Sequence, residues 1–447
     1  MPAAQRAVTA GRPAGLGPVG CLLSRLQPAL DDTDGDIVTH NRWCFVHAAD
    51  LHLDTPFEGI GAVDPALATR LRDASLDAFD ALIELTLARD AAFLVLAGDI
   101  YDGAERGMRA QLRFERGVRR LADAGIRTFV AHGNHDPVVT GWQLAASWPD
   151  EVHVFGPDTV RSITVTRHGV MLAVVQGVSY AERAETRNLA RGFARTDLDV
   201  LHIGVLHANV GSNGAHAPYA PCTADDLRAA GLDYWALGHV HQREVVLDGT
   251  GDDPWALYPG NLQGRSHKPS ERAAKGASVV EVIDGRVGEP EHVVLDRARF
   301  VEVVVTITEE TVVGEVEREL ADGARRAGQD AEDRVVVIRG LINGSGPVSA
   351  DLARAGAVEE LLAALRDRMT GRSDTVWTGL RDRTRLLVDT GGVEALLDGT
   401  AVDDDTLVAD AVLAIADGRW TDEPLDVGEL ATAGRALART LLHGGAA

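Results

Sequence analysis

Thirteen of the fifteen histidines fall between His47 and His292, and several stand directly after short apolar runs, beside aspartates and glycines. Between those runs apolar residues recur at helical spacing. This alternation, from Trp43 to about Pro290, is the pattern of a layered α/β domain. Strands are expected at Cys44–Ala48, Phe93–Leu96, Thr128–Ala131, Met171–Gln176, Leu201–Leu206 and Tyr234–Leu237. A helix is expected from Pro65 to Arg89, capped by Asp64, with Leu67, Leu71, Ala78, Leu82 and Leu85 on its apolar side. Open α/β sheets keep their sites at strand ends, which is where the polar residues gather.

Four strand ends read in order. They are Asp50-Leu51-His52, then Gly98-Asp99-Ile100-Tyr101-Asp102, then Gly133-Asn134-His135-Asp136, and finally His207 followed by Gly238-His239-Val240-His241. Each alone is commonplace as a turn or a hydrogen-bonded loop. Their occurrence together, each after an apolar run, is not. Carboxylates, an amide oxygen and imidazoles suit borderline divalent cations, and none of the three cysteines lies beside them. Asp-x-His and His-x-His place two side chains on one face of an extended segment. The set supplies two metal sites.

With 447 residues the chain is long enough for two or three domains. A hydrophobic fraction of 45% excludes a disordered chain, and Cys21, Cys44 and Cys222 form no disulfide framework, which fits a reducing, cytoplasmic setting. No apolar run of about 18 residues suggests a membrane span. The balance of 44 basic to 67 acidic side chains, -23 in all, at first argues against nucleic acid. From Val301 onward, however, there are 28 acidic and 15 basic residues, so more than half of the excess lies outside the histidine-rich domain.

Residues 1–42 are expected to form a disordered extension, with Val38 a candidate true start and residues 1–37 untranslated. The metal-bearing domain is expected over 43–295. After Asp284-Gly285 the texture changes. Phe300–Ile307 and Arg334–Ile342 read as strands, and Val313–Arg326 and Ser349–Met369 as helices, giving a small α+β domain over 296–372. Residues 373–447 read as a helical acidic region, with an Asp403–Asp405 charge run and Leu430, Leu437 and Leu441 on one helical side.

The motif set, from about residue 44 to 290, closely resembles the calcineurin-like metallophosphoesterase superfamily. Within it, Phe45-Val46-His47-Ala48-Ala49-Asp50-Leu51-His52-Leu53-Asp54, Gly133-Asn134-His135-Asp136 and Tyr258-Pro259-Gly260-Asn261-Leu262-Gln263-Gly264-Arg265 resemble the SbcD-type DNA repair exonucleases, YhaO-like branch. The resemblance implies an α/β fold: a layered β-sandwich flanked by helices, with a small α+β capping domain and a helical C-terminal tail. It implies two divalent ions, usually manganese. One would be held by Asp50, His52, Asp99 and His241, the other by Asp99, Asn134, His207 and His239. His135 would reach the phosphate or leaving oxygen, Asp136 would orient it, and Asp102 would fix nearby loops. It further implies DNA as substrate, a coiled-coil ATPase partner of the SbcC type and a homodimer. The same core also serves phosphatases acting on nucleotides or phosphoproteins.

Two basic clusters are candidates for holding substrate. Arg106, Arg109, Arg113, Arg116 and Arg120 fall within about 80° on one side of a helix. An ion-paired face, with Glu105 and Glu115, has greater weight there than a phosphate-tracking stripe. Arg265, His267 and Lys268 form the second cluster. His153, His168, His202 and His292 are expected to be structural or exposed, and His47 and His132 packed near the site. There is no phosphate-binding loop around Lys268 or Lys275 and no nucleophile elbow.

Overall fold

A computed structural model describes residues 41–55, 57, 65–103, 107–138, 148–211, 219–369 and 374–385. Of the expected 1–42 extension, residues 1–40 lie outside the described residues, as do the Asp64 cap, Arg106 and the acidic tail beyond 385, while Arg42 already belongs to the first strand. The chain begins β1 (Arg42–Ala48), α1 (Pro65–Ala88), β2 (Phe93–Ala97), α2 (Met108–Asp123), β3 (Arg127–Ala131) and β4 (Val152–Val154). It continues with β5 (Arg161–Arg167), β6 (Val170–Gly177), β7 (Leu201–His207), α3 (Ala224–Ala229), β8 (Tyr234–Gly238), β9 (Glu244–Asp248) and β10 (Trp255–Tyr258). Three further strands follow: β11 (Gly276–Ile283), β12 (Arg286–Val287) and β13 (Glu291–Val294).

Two sheets result. One runs β12-β11-β1-β2-β3-β4, with β13 on β11, and the other runs β5-β6-β7-β8-β10-β9. Strands β1 to β4 are parallel, as are β6, β7, β8 and β10, so the loops carrying the motifs emerge at the same ends. The sheets pack face to face. Phe45, Phe93 and Phe129 meet Val175, Ile203, Val205, Tyr234 and Leu257 in a buried core. Burial on both faces explains why β2 is apolar at every position. Helices α1 and α2 cover the outer face of the first sheet through Phe79, Leu82, Ile83, Phe114 and Val118. The layered sandwich is therefore as expected, and all six predicted strands form.

Beyond it lie β14 (Ala298–Ile307), α4 (Val313–Asp330), β15 (Val335–Ser345), α5 (Val348–Leu352), α6 (Ala357–Arg368) and β16 (Thr375–Arg385). The three strands form a parallel sheet in the order β14-β15-β16. Two expectations are corrected here. The single helix over Ser349–Met369 is two, separated at Gly356, whose φ of 86° belongs to the left-handed region and interrupts a helix. The helical reading from residue 373 fails for Thr375–Arg385, a strand that buries Thr375 and Trp377 against β15 and extends the small sheet past residue 372. This sheet packs on the outer helical layer through Leu71 and Ala74 of α1 against Phe300, Val335 and Val337. No helix among the described residues is long and apolar enough to cross a membrane.

Candidate metal centre

The loops after β1, β2, β3, β7 and β8 meet at one cleft of about 510 Å³, lined by Asp99, Asp102, Asn134, His135, Tyr219, His239, His241, Arg265 and Lys268, among others. Asp50, His52, Asp99 and His239 have φ of 52°, 43°, 52° and 111°. Left-handed backbone at non-glycine residues is uncommon, and four instances among the expected ligands place local strain at the site. Two glycines make room. A Cβ on Gly98, at φ 94°, would lie 2.3 Å from His207 Nδ1, and one on Gly238 would lie 1.8 Å from the Ala97 carbonyl oxygen.

Six of the seven expected ligand residues are tied together by contacts between their side-chain donor atoms. His52 Nε2 lies 3.1 Å from His241 Nε2 and 3.8 Å from Asp99 Oδ2, and His241 Nε2 lies 3.9 Å from Asp50 Oδ1. On the other side of Asp99, His207 Nε2 is 3.5 Å from Asp99 Oδ2 and 3.0 Å from Asn134 Oδ1. The seventh, His239, packs its ring 5.3 Å from that of His207, and its backbone N–H donates to both Asp50 oxygens. Asp99 thus stands between two groups of donors.

These residues fit cations. His207 donates Nδ1–H to the Ala97 carbonyl at 2.9 Å, and burial lowers its pKa to about 4, so a lone pair on Nε2 faces the oxygens of Asn134 and Asp99. A positive ion turns such facing lone pairs from repulsive to binding. Burial, aided by Asp99, raises the pKa of Asp50 well above the carboxylate range, and burial with Asp136 nearby brings Asp99 up to about 7. His52 is lowered by burial and by the charges of Arg265 and the neighbouring imidazoles. Neutral imidazoles and carboxylates short of counter-charge are the state that divalent ions complete.

The role expected of Asp136 is corrected. Its carboxylate is buried and accepts the backbone N–H of Gly133 and of Ile100, both at 2.8 Å, with His132 Nδ1 at 3.1 Å. It locks the third motif loop to the second. Asp102 instead holds His135, with Oδ1 2.6 Å from Nδ1. That hydrogen bond raises the His135 pKa and lowers Asp102 to about 2. Asp102 Oδ2 also accepts from Arg265 at 2.9 Å.

The basic candidates separate. Arg265 and Lys268 line the cleft, whereas Arg109, Arg113 and Arg116 do not. Arg109 pairs with Asp73, Arg113 with Asp80 at 2.9 Å and Asp77 at 3.1 Å, and Arg120 with Glu84 at 2.8 Å, all on α1. Arg116 is exposed on the same helix. His267 turns away to Thr378 of β16, at 2.9 Å. His47 is packed between the sheets, accepting from Tyr234 and donating to the Leu237 carbonyl.

Sequence reasoning missed Glu271. It is buried, accepts His241 Nδ1–H at 2.7 Å, and is also bonded by Asn261 Nδ2 at 2.8 Å and the Arg265 backbone N–H at 3.0 Å. Burial alone would raise its pKa, but the hydrogen bond from His241 and the Arg265 and Lys275 charges pull it far below the usual range. Only its position six residues after Arg265 signalled it.

The pattern of the calcineurin-like phosphoesterases matches residues 45–243. The uncharacterized metallophosphoesterase YhaO of Bacillus subtilis (strain 168) is 32% identical over 339 residues, 74% of this chain and 79% of that protein. The DNA double-strand break repair protein Mre11 of Aeropyrum pernix is 31% identical over 48% of this chain, and that of Haloferax volcanii 27% over 66%. The matches span 53% and 63% of those two proteins. On this evidence the chain belongs to the calcineurin-like metallophosphoesterases, a family of metal-dependent phosphoesterases.

Proposed function

We propose that this protein is a two-metal phosphodiesterase that hydrolyses DNA, acting as an exonuclease subunit in DNA repair. The observation that carries the reading is a cleft lined by Asp99, Asn134, His239 and His241, with Asp50, His52 and His207 clustered against them, beside an imidazole, His135, that a carboxylate holds in place. The likeness to DNA double-strand break repair proteins favours DNA over a small phosphoester.

Asp50, His52, Asp99 and His241 would hold one ion and Asp99, Asn134, His207 and His239 the other, with manganese the proposed metal. When bound, two such ions neutralise the phosphate and provide a nucleophile from water at neutral pH. The chain's own residues do the rest. Asp102 fixes His135 through Nδ1, so Nε2 is the atom that passes a proton to the departing sugar oxygen. The same hydrogen bond raises the His135 pKa and so favours the protonated ring. Asp136 keeps the loop carrying Asn134 and His135 against the loop carrying Asp99.

The acidic chain leaves the grip on a long duplex to a partner, proposed to be a coiled-coil ATPase of the SbcC type, with a homodimer as the assembly. A cytoplasmic setting accords with the unpaired Cys44 and Cys222. Manganese-dependent release of nucleotides from labelled duplex and single-stranded DNA, set beside a chromogenic phosphodiester and a phosphomonoester, tests the reading. Turnover of the monoester alone would overturn it.

A further inference from the structure

Along the cleft wall runs a chain of partly buried polar contacts that reaches from a proposed metal ligand to the proposed proton donor. Glu271 Oε1 receives His241 Nδ1–H at 2.7 Å, and Arg265 Nη2 lies 3.5 Å from the same oxygen. Arg265 Nη1 then meets Asp102 Oδ2 at 2.9 Å, and Asp102 Oδ1 meets His135 Nδ1 at 2.6 Å. Two carboxylates and one guanidinium therefore join His241 to His135. We propose that Glu271 and Arg265 are positioning residues, Glu271 setting the orientation of His241 and Arg265 that of the His135–Asp102 pair.

The geometry accounts for each residue type. Glu271 accepts from His241 and Arg265 on one oxygen and from Asn261 and the Arg265 backbone on the other, so both oxygens must be acceptors. A glutamine keeps one acceptor and turns an N–H₂ toward donors on the other side. Donation of Nδ1–H to Glu271 fixes the tautomer that leaves His241 Nε2 as the ligand atom. Arg265 offers two separate N–H groups to two carboxylates, which a lysine cannot do in one plane. Lys275, itself buried, donates to the carbonyls of His241 at 2.6 Å and Ser270, holding the backbone on both sides of this contact. The proposal rests on the metal-dependent phosphoesterase reading and not on DNA as the substrate.

The test uses the full chain, stripped of metal and titrated with manganese by calorimetry, with turnover of a chromogenic phosphodiester measured in parallel. Glu271→Ala is expected to weaken one of the two ions by about 10- to 100-fold while the other stays within about threefold. Glu271→Gln should recover part of that loss, and both metal-free variants should melt close to the parent. Arg265→Ala should leave both manganese affinities near the parent's, lower kcat with little change in KM, and be non-additive with Asp102→Asn. Unchanged affinities in folded Glu271→Ala, or Arg265→Ala and Asp102→Asn losses that simply multiply, would overturn the proposal. If Glu271→Ala does not fold, Glu271→Gln carries the same comparison, and parent-like affinities in it overturn the proposal equally. A parent chain that binds no manganese would remove the two-metal reading and this proposal with it. Turnover of the small diester without cleavage of DNA would remove only DNA as substrate, and the affinity comparison would still decide.

Discussion

Asp102 and His135 share a 2.6 Å hydrogen bond across 33 residues of sequence, while Asp136, the immediate neighbour of His135, points into the loops behind it. Adjacent residues carry different burdens. Asp102→Asn is expected to lower kcat by about 10²- to 10⁴-fold with both ions retained on metal analysis. Asp136→Asn should instead destabilise the fold by about 1–3 kcal/mol in chemical denaturation, because one of the two carboxylate oxygens that accept from Gly133 and Ile100 becomes an N–H₂ donor. A parent-like kcat in Asp102→Asn would return the orienting role to Asp136.

The same pair gives the metal-free protein a pH signature. His135 is raised above 6.5 in the folded state, so its contribution is complete below that value and is lost as pH rises through the raised one. Asp102 is depressed from 3.8 to about 2, so its contribution is complete above 3.8 and is lost as pH falls through about 2. The melting-temperature difference between parent and Asp102→Asn, both metal-free, should therefore be greatest between about pH 4 and 6.5 and shrink on both sides. A difference that is flat with pH would count against the pairing.

Asp99 lies between the two donor groups, with Oδ2 3.8 Å from His52 Nε2 and 3.5 Å from His207 Nε2. Asp99→Ala should lose both ions on metal analysis, where removal of either outer ligand should chiefly affect one. Chelation of the parent should abolish turnover, and added manganese should restore it.

On α2, Arg113 is about one-third exposed and pairs with two aspartates of α1. Neutralising Arg109, Arg113 and Arg116 together should cost about 1 kcal/mol or less per exposed pair and should matter less at high salt. The salt slope of DNA binding should stay the same. A slope that falls by about 0.9 per lost phosphate contact would assign these residues to the substrate.

Gly238→Ala would press a methyl group against the Ala97 carbonyl, the acceptor of His207 Nδ1. Destabilisation of about 1–3 kcal/mol or more is expected, with weaker ion retention. Gly314→Ala, in α4 with no atom near its added carbon, should be neutral or stabilise by up to about 1 kcal/mol. Calorimetric melting of the two separates close approach from glycine content.

What could be read in advance was local. Strand β2 and the ligand motifs announce themselves because apolar runs, glycines and ligand types are neighbours in the chain. The Asp102–His135 pair and the Glu271–His241 pair span 33 and 30 residues, and no short pattern encodes which carboxylate reaches which imidazole. Strand β16 was hidden by its setting. The spacing of its arginines at 381, 383 and 385 has the period of a strand, but the acidic stretch that follows reads as helical, and the pairing with β15 is supplied only by the folded chain. The arginine face of α2 was visible, but the acids of α1 that receive it lie some 30 residues upstream.

The hydrogen bond from the His267 ring to Thr378 spans 111 residues, and Arg339 donates to the His267 carbonyl from 72 residues downstream. As the chain leaves the ribosome, the last of the proposed ligands, His241, is present long before the partners that hold the loop beside it. The segment bearing Arg265 and Glu271 reaches its final contacts only when residues 339 and 378 have emerged and the small sheet has closed on α1. Completion of the catalytic cleft is in this sense a late event in synthesis. A chain released before β16 would carry every proposed ligand residue while lacking the anchor that keeps their supports in place.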